Sequence, residues 1–144
     1  MAILRCNMYS EMDFEIIKSA GTIFYCAETK RYGLGKRGLG VRHPNTWGPV
    51  GGNIDVGEKS YETVIREVKE EIGINLDPYL LKKIDYHIHS EGIYTLYIYE
   101  VKTEFIPLLL QINEVSEFDW FLWNDMSNLH PGLQRTLNKR GKPL

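Results

Sequence analysis

The chain has 144 residues, 43% of them hydrophobic and 25% charged, with a formal net charge of −2; this is the profile of one folded domain spanning residues 1–144, large enough to bury a core. The slightly acidic balance excludes the broad basic footprint of a general nucleic-acid binder, while leaving room for a local cluster of positive charge that meets a small phosphorylated ligand. No stretch approaches the roughly 20 apolar residues that cross a bilayer, the N-terminus reads as no signal peptide, and Cys6 and Cys26 have neither metal-ligand nor redox spacing, so a cytoplasmic protein with reduced thiols is expected.

In chain order, Phe14 to Ala27 is rich in β-branched and aromatic residues, broken only by Gly21, and reads as the first strand. Lys30 to Gly40 carries Gly33, Gly35, Gly38 and Gly40 and reads as a short strand or turn followed by a loop. Val41 to Gly52, with Pro44, Pro49, Gly48, Gly51 and Gly52, reads mostly as loop. Ser60 to Ile72 is a helix, with Ser60 as its N-cap and Gly73 as its stop. Strand character returns at Ile84, where Tyr86–His89 and Ile93–Val101 flank a hairpin turn at residues 90–92. Alternation puts Tyr97 and Tyr99 on one face of the second strand and Tyr94, Leu96 and Ile98 on the other. His87 and His89 share a strand face, but no third ligand is spaced to match them, so they read as surface histidines. Phe118 to Trp123 is a short aromatic strand, and Asp125 to Lys139 is a weaker helix interrupted by Pro131-Gly132. Strands on both sides of a central helix, with a second helix at the end, give an α/β layered domain.

The central helix has an electrostatic problem. On a wheel of about 100° per residue, with Glu67 at zero, Glu71 falls near +40° and Glu70 near −60°. Tyr61, Val64, Ile65, Val68 and Ile72 form an adjacent apolar stripe. Like charges at these spacings repel by a few tenths of a kcal/mol per pair, and the helix C-terminus disfavours anions. Such a face is either a solvated acidic surface or a set of oxygen ligands for a hard divalent cation.

The surrounding spacing decides between them. Gly52 is followed by Glu58, then by Arg66-Glu67-Val68, Glu70-Glu71, Gly73 and Ile74. The segment 52–74 resembles the signature of the Nudix hydrolases (MutT-like proteins) at each defining position. Ser19–Ile23, Trp47–Gly52 and Trp120-Phe121 resemble the family's first core strand, its approach to the signature and a late strand. One departure is Val50, where the family commonly has proline before the glycine pair; Pro49 stands one position earlier. The resemblance implies an α/β/α sandwich with a mixed β-sheet. It implies Glu70 and Glu71 as direct ligands of Mg²⁺, with Mn²⁺ as an alternative. Glu67 would be a third ligand or the residue that orients and deprotonates the attacking water. The Gly51 carbonyl would be a further ligand, and Arg66 would hold the carboxylates by pairing with Glu58. Some members draw the catalytic base from a late loop, and Glu114 and Glu117 occupy that region here.

Outside the signature, Lys36, Arg37, Arg42 and His43 punctuate the glycine-rich stretch. Arg37 and Arg42 are the candidates for a phosphate clamp, and Trp47 for stacking on a nucleobase, with packing under the loop as the alternative. The reading that follows is Mg²⁺-dependent hydrolysis of a diphosphate bond in a nucleoside diphosphate linked to another group, such as a nucleoside triphosphate or a nucleotide sugar. RNA 5′-end pyrophosphohydrolysis and a non-catalytic nucleotide sensor are the alternatives. The expected partner is a small nucleotide-type molecule; a homodimer is compatible with the sequence, and neither membrane nor bulk nucleic acid is expected.

Overall fold

A computed structural model describes residues 16–90 and 92–144; Cys6, Phe14 and the side chain of His89 lie outside the described set. The elements are β1 (Ile17–Cys26), β2 (Arg31–Arg37), β3 (Trp47–Gly48), β4 (Val50–Asn53), α1 (Ser60–Ile72), β5 (Leu81–His89), β6 (Gly92–Val101), β7 (Val115–Phe121) and α2 (Pro131–Arg140), with short 3₁₀ turns at Pro78–Leu80 and Trp123–Asp125. The expected α/β architecture is present. The seven strands form one mixed sheet in which β1 and β6 run parallel and the remaining pairings are antiparallel.

Strand β1 sits at the centre and alternates its side chains between two cores. Ala20, Phe24 and Cys26 join Val64, Val68 and Ile72 of α1. Ile23 joins Leu133 and Leu137 of α2, with Leu34, Leu96 and Ile98. The two helices therefore cover opposite faces. Tyr97 and Tyr99 belong to the first core and Tyr94 packs on the second, as alternation requires.

The sheet also forks, and the fork makes the site. Ser19–Thr22 of β1 pairs with β4, whereas Phe24–Cys26 pairs with β2. Beyond Ile23, β2 and β4 diverge and leave a cleft between Arg37 and Gly51.

The stretch from Val41 to Gly52 is mostly loop, as expected, but its last six residues hold β3 and the start of β4; their glycines and prolines hide a ladder that depends on partners in β1 and β2. Three expectations need correction. The N-cap of α1 is Lys59, not Ser60, and the Lys59 N–H donates to the Glu62 carboxylate at 2.9 Å. The second helix begins at Pro131, not near Asp125, since proline at the first helical position costs no hydrogen bond. The late strand is also displaced, running over Val115–Phe121. No helix among the described residues is long and apolar enough to cross a membrane.

Candidate active site

The loop before α1 is built around one carboxylate. Glu58 accepts hydrogen bonds from the Asp55 N–H at 3.0 Å, the Thr63 hydroxyl at 2.7 Å and the Arg66 guanidinium at 2.7 and 3.0 Å. Arg66 foremost, with help from Thr63 and the Asp55 backbone, holds the Glu58 carboxyl down to about 2, against the effect of burial. Arg66 then reaches in four further directions: to Glu67 at 2.9 Å, to Glu70 at 3.4 Å, to the Asn53 carbonyl at 3.3 Å and to the Asp55 carboxylate at 3.4 Å. One guanidinium thus ties β4, the loop and α1 together.

The glycine pair allows α1 to approach the sheet. A Cβ on Gly51 would collide with the Ala20 carbonyl of β1, and a Cβ on Gly52 would lie 2.7 Å from the Glu67 carboxylate. No larger residue leaves room for both β1 and Glu67 at this place.

At the other end of α1, the chain crosses the helix C-terminus. The Leu108 and Leu110 N–H groups donate to the carbonyls of Ile72 and Glu71, each at 3.0 Å, so carbonyls that a helix end leaves orphaned are satisfied. The crossing segment then meets the glycine-rich loop, where Gly38 N–H donates to the Glu114 carbonyl at 2.9 Å and Gly40 N–H to that of Asn113 at 2.8 Å. The β2–β7 register shifts between Lys36 and Arg37, a bulge that re-aims the start of β7. Glu114 is delivered to the cleft from this pinned loop.

Glu67, Glu71 and Glu114 each offer an oxygen, and these oxygens lie within 4.8 Å of one another. The cleft beside them is lined by Gly35, Lys36, Arg37, Gly51, Glu71 and Glu114, among others. Glu71 is 1% exposed, and its Oε1 has no hydrogen-bond partner. Burial pushes its carboxyl up to about 10, and the neighbouring Glu114 and Glu67 carboxylates push the same way. A buried acceptor without a donor costs on the order of 1–3 kcal/mol, and three converging carboxylates repel. Both costs are removed by one hard divalent cation, for which an all-oxygen donor set is suited. The residues present therefore fit a divalent metal ion.

The other anticipated residues fall in different places. Glu70 sits outside the trio, half-exposed, against Arg66. Glu117 pairs with Lys36 at 3.3 Å. Arg37 lines the cleft, and its Nε donates to the Arg42 carbonyl at 2.6 Å, while Arg42 itself is exposed. Trp47 packs edge-on against Phe121, with ring centres 4.9 Å apart in the second core; this is the position of a packing residue. His130 and Tyr94 lie near Arg37 and were not anticipated as site residues. His130 stands alone in sequence as the N-cap of α2, and Tyr94 reads as an ordinary sheet residue, so neither carries a local signal.

Comparison with known families matches residues 18–140 to the NUDIX domain. Among solved structures, the chain is similar to a MutT NUDIX hydrolase from Burkholderia pseudomallei, with a TM-score of 0.70 and 20% identity over 88% of this chain and 99% of that one. It is similar to a MutT protein from Methanosarcina mazei, with a TM-score of 0.68 and 19% identity over 90% and 95% of the two chains. An Ap4A hydrolase from C. elegans aligns with a TM-score of 0.64 and 19% identity over 84% and 93%. No curated protein matches the sequence.

Proposed function

Since the chain belongs to the Nudix family, hydrolases that act on nucleoside diphosphate derivatives, we propose that it cleaves a diphosphate bond at the cleft beside Glu67, Glu71 and Glu114, with Mg²⁺ as its cofactor. The observation that carries this reading is the buried, unpartnered Oε1 of Glu71 facing two more carboxylates. The ion would be held by Glu67, Glu71 and Glu114, with the Gly51 carbonyl as a further ligand, and Glu70 would stay outside the set. Bound there, it would supply Lewis acidity toward the diphosphate oxygens.

The protein's own groups do the rest. Arg37 gives the cleft a positive wall that draws in and orients the diphosphate. Arg66 fixes the Glu67 carboxylate through the 2.9 Å bond and leaves it little freedom. Glu114 is exposed and makes no ion pair among the described residues. It is therefore the carboxylate open to solvent water, and we assign it the role of taking the proton of the attacking water. General-base assistance of this kind contributes ~10²–10⁴-fold.

A substrate panel tests the reading. Purified protein with Mg²⁺ is incubated with nucleoside triphosphates, nucleotide sugars, dinucleoside polyphosphates and triphosphorylated RNA, and the products are identified. Hydrolysis at a diphosphate bond, silenced by EDTA and restored by added Mg²⁺, is the expected result. Metal-independent hydrolysis, or no turnover of any substrate, would contradict it. RNA turnover matching that of free nucleotides would shift the assignment to 5′-end processing.

A further inference from the structure

Around Arg37, which lines the cleft together with Glu71 and Glu114, the structure gathers basic groups from the loop after β2, the approach to α2 and α2 itself. The loop after β2 is stitched to the approach to α2: Trp47 N–H donates to the Asn128 carbonyl at 2.9 Å, His130 N–H to the Trp47 carbonyl at 2.8 Å, and the Asn128 amide to the Asn45 carbonyl at 2.8 Å. This brings the His43 and His130 rings edge-to-face, with centres 4.9 Å apart.

The tautomer of His130 follows from its partner. Its Nδ1 accepts from the Gly132 N–H at 2.9 Å, so that nitrogen carries no proton and Nε2 is a fixed donor. Burial pushes the imidazole down to about 4. The charges that act on it most strongly, in order, are Arg37, His43, Arg135 and Arg42, all basic and all pushing the same way. Arg37 is itself desolvated, which lowers its pKa, and it makes no ion pair among the described residues. Tyr94 stands close to both Arg37 and Glu71, its hydroxyl filling the room that Gly21 leaves for want of a Cβ.

A half-buried guanidinium that makes no ion pair among the described residues, with the buried Glu71 as the carboxylate that acts on it, next to an imidazole ringed by further basic side chains, is an arrangement short of negative charge. In the partly desolvated setting the repulsion is stronger than in water. One kind of occupant balances it: an anion with acceptor oxygens for the Arg37 fork and for the Nε2–H of His130.

We propose that Arg37 and His130, flanked by His43, Arg42 and Arg135, form a second anion subsite that takes a phosphoryl group of the substrate beyond the scissile diphosphate. The proposal rests on the hydrolase reading above and narrows it. The substrate is a polyphosphate of three or more phosphoryl groups, such as a nucleoside triphosphate, and not a nucleotide sugar whose second half is neutral. His130 is then a specificity-determining residue that acts as a neutral hydrogen-bond donor.

The test begins without metal and without turnover. Inorganic tripolyphosphate is titrated into metal-free protein while the imidazole resonances of His130 and His43 are followed by NMR. The expected result is a saturable shift of both rings. His130→Gln and Arg37→Gln should each weaken binding at least tenfold, provided circular dichroism shows them folded. Arg135→Gln, on the exposed face of α2, serves where those two do not fold and should weaken it about threefold. His130 resonances that stay put at saturating tripolyphosphate, or folded variants that bind as tightly as wild type, would overturn the subsite. In a second arm, kcat/KM of the wild-type enzyme should favour a nucleoside triphosphate over a nucleotide sugar, and Arg135→Gln should erode that preference through KM. A wild-type preference for the nucleotide sugar would overturn the inference while leaving the hydrolase standing. Failure to hydrolyse either would sink the hydrolase reading, and the metal-free titration would still decide the subsite.

Discussion

Arg66 shows how much a single side chain can organise. Its three nitrogens reach Glu58, Glu67, Glu70 and the Asn53 carbonyl, which uses nearly the full donor fork of a guanidinium. Lysine would bring the charge but only one point of attachment. Arg66→Lys should therefore leave the protein folded and lower kcat/KM by ~10–100-fold, the usual range for residues that orient metal ligands. Steady-state kinetics at saturating Mg²⁺ checks this; wild-type activity would remove Arg66 from its positioning role. The Arg66–Glu58 pairing was implied by the resemblance to the Nudix signature. Which glutamates converge was only half legible. The wheel placed Glu67, Glu70 and Glu71 on one face, but it could not say that the glycine pair draws Glu67 inward, that the crossing segment covers Glu71, or that Arg66 keeps Glu70 outside.

Helix α1 tolerates its acidic face because packing outweighs repulsion. Val64, Val68 and Ile72 are fully buried, and at ~1.5–3 kcal/mol each they contribute well over the few tenths lost per like-charged pair. The helix can therefore hold its carboxylates where solvation alone would scatter them. Strand β4 meets it through two glycines with different tolerances. Gly51→Ala pushes a methyl group into the β1 backbone and should destabilise the fold by about 3 kcal/mol or prevent folding. Gly52→Ala meets only the end of the Glu67 side chain, so it should fold with less than about half that loss and yet lower turnover by displacing the carboxylate. Denaturant melts alongside kinetics separate the two effects, and equal stability losses would refute the distinction. Among the elements, the span and the stop of α1 were legible because apolar period and a terminal glycine agree, while its cap was not. Strands β3 and β4 were not, since a ladder of two to four residues with proline and glycine exists only through its partners.

At the scale of the molecule, one sheet separates two helices with different duties: α1 carries the carboxylates, and α2 closes the opposite face. A buried aspartate secures α2. Asp85 of β5 is 3% exposed, accepts from the Thr136 hydroxyl at 2.6 Å and pairs with Arg140 at 3.0 Å. Burial works against its charge, but Thr136 and Arg140 prevail and bring its pKa from 3.8 to about 2. The stability this supplies, on the order of 2 kcal/mol, is present above the unfolded value and is lost as pH falls through the folded one. Asp85→Asn should thus be less stable than wild type at pH 7 by about that amount, with the gap closing between about pH 4 and pH 2 in urea melts; a gap independent of pH would show that the charge is not what stabilises. The layered α/β class was legible from the order of strands and helices. The fork in β1 that opens the cleft was not, because it arises from two partners competing for one strand. The central claim is that the trio, and Glu71 above all, binds a divalent cation. Calorimetric titration of Mg²⁺ into substrate-free protein tests it most directly. The account predicts binding that Glu71→Gln weakens at least ~10-fold and that Glu70→Gln leaves nearly intact. Equal Mg²⁺ affinity in wild type and Glu71→Gln would contradict it.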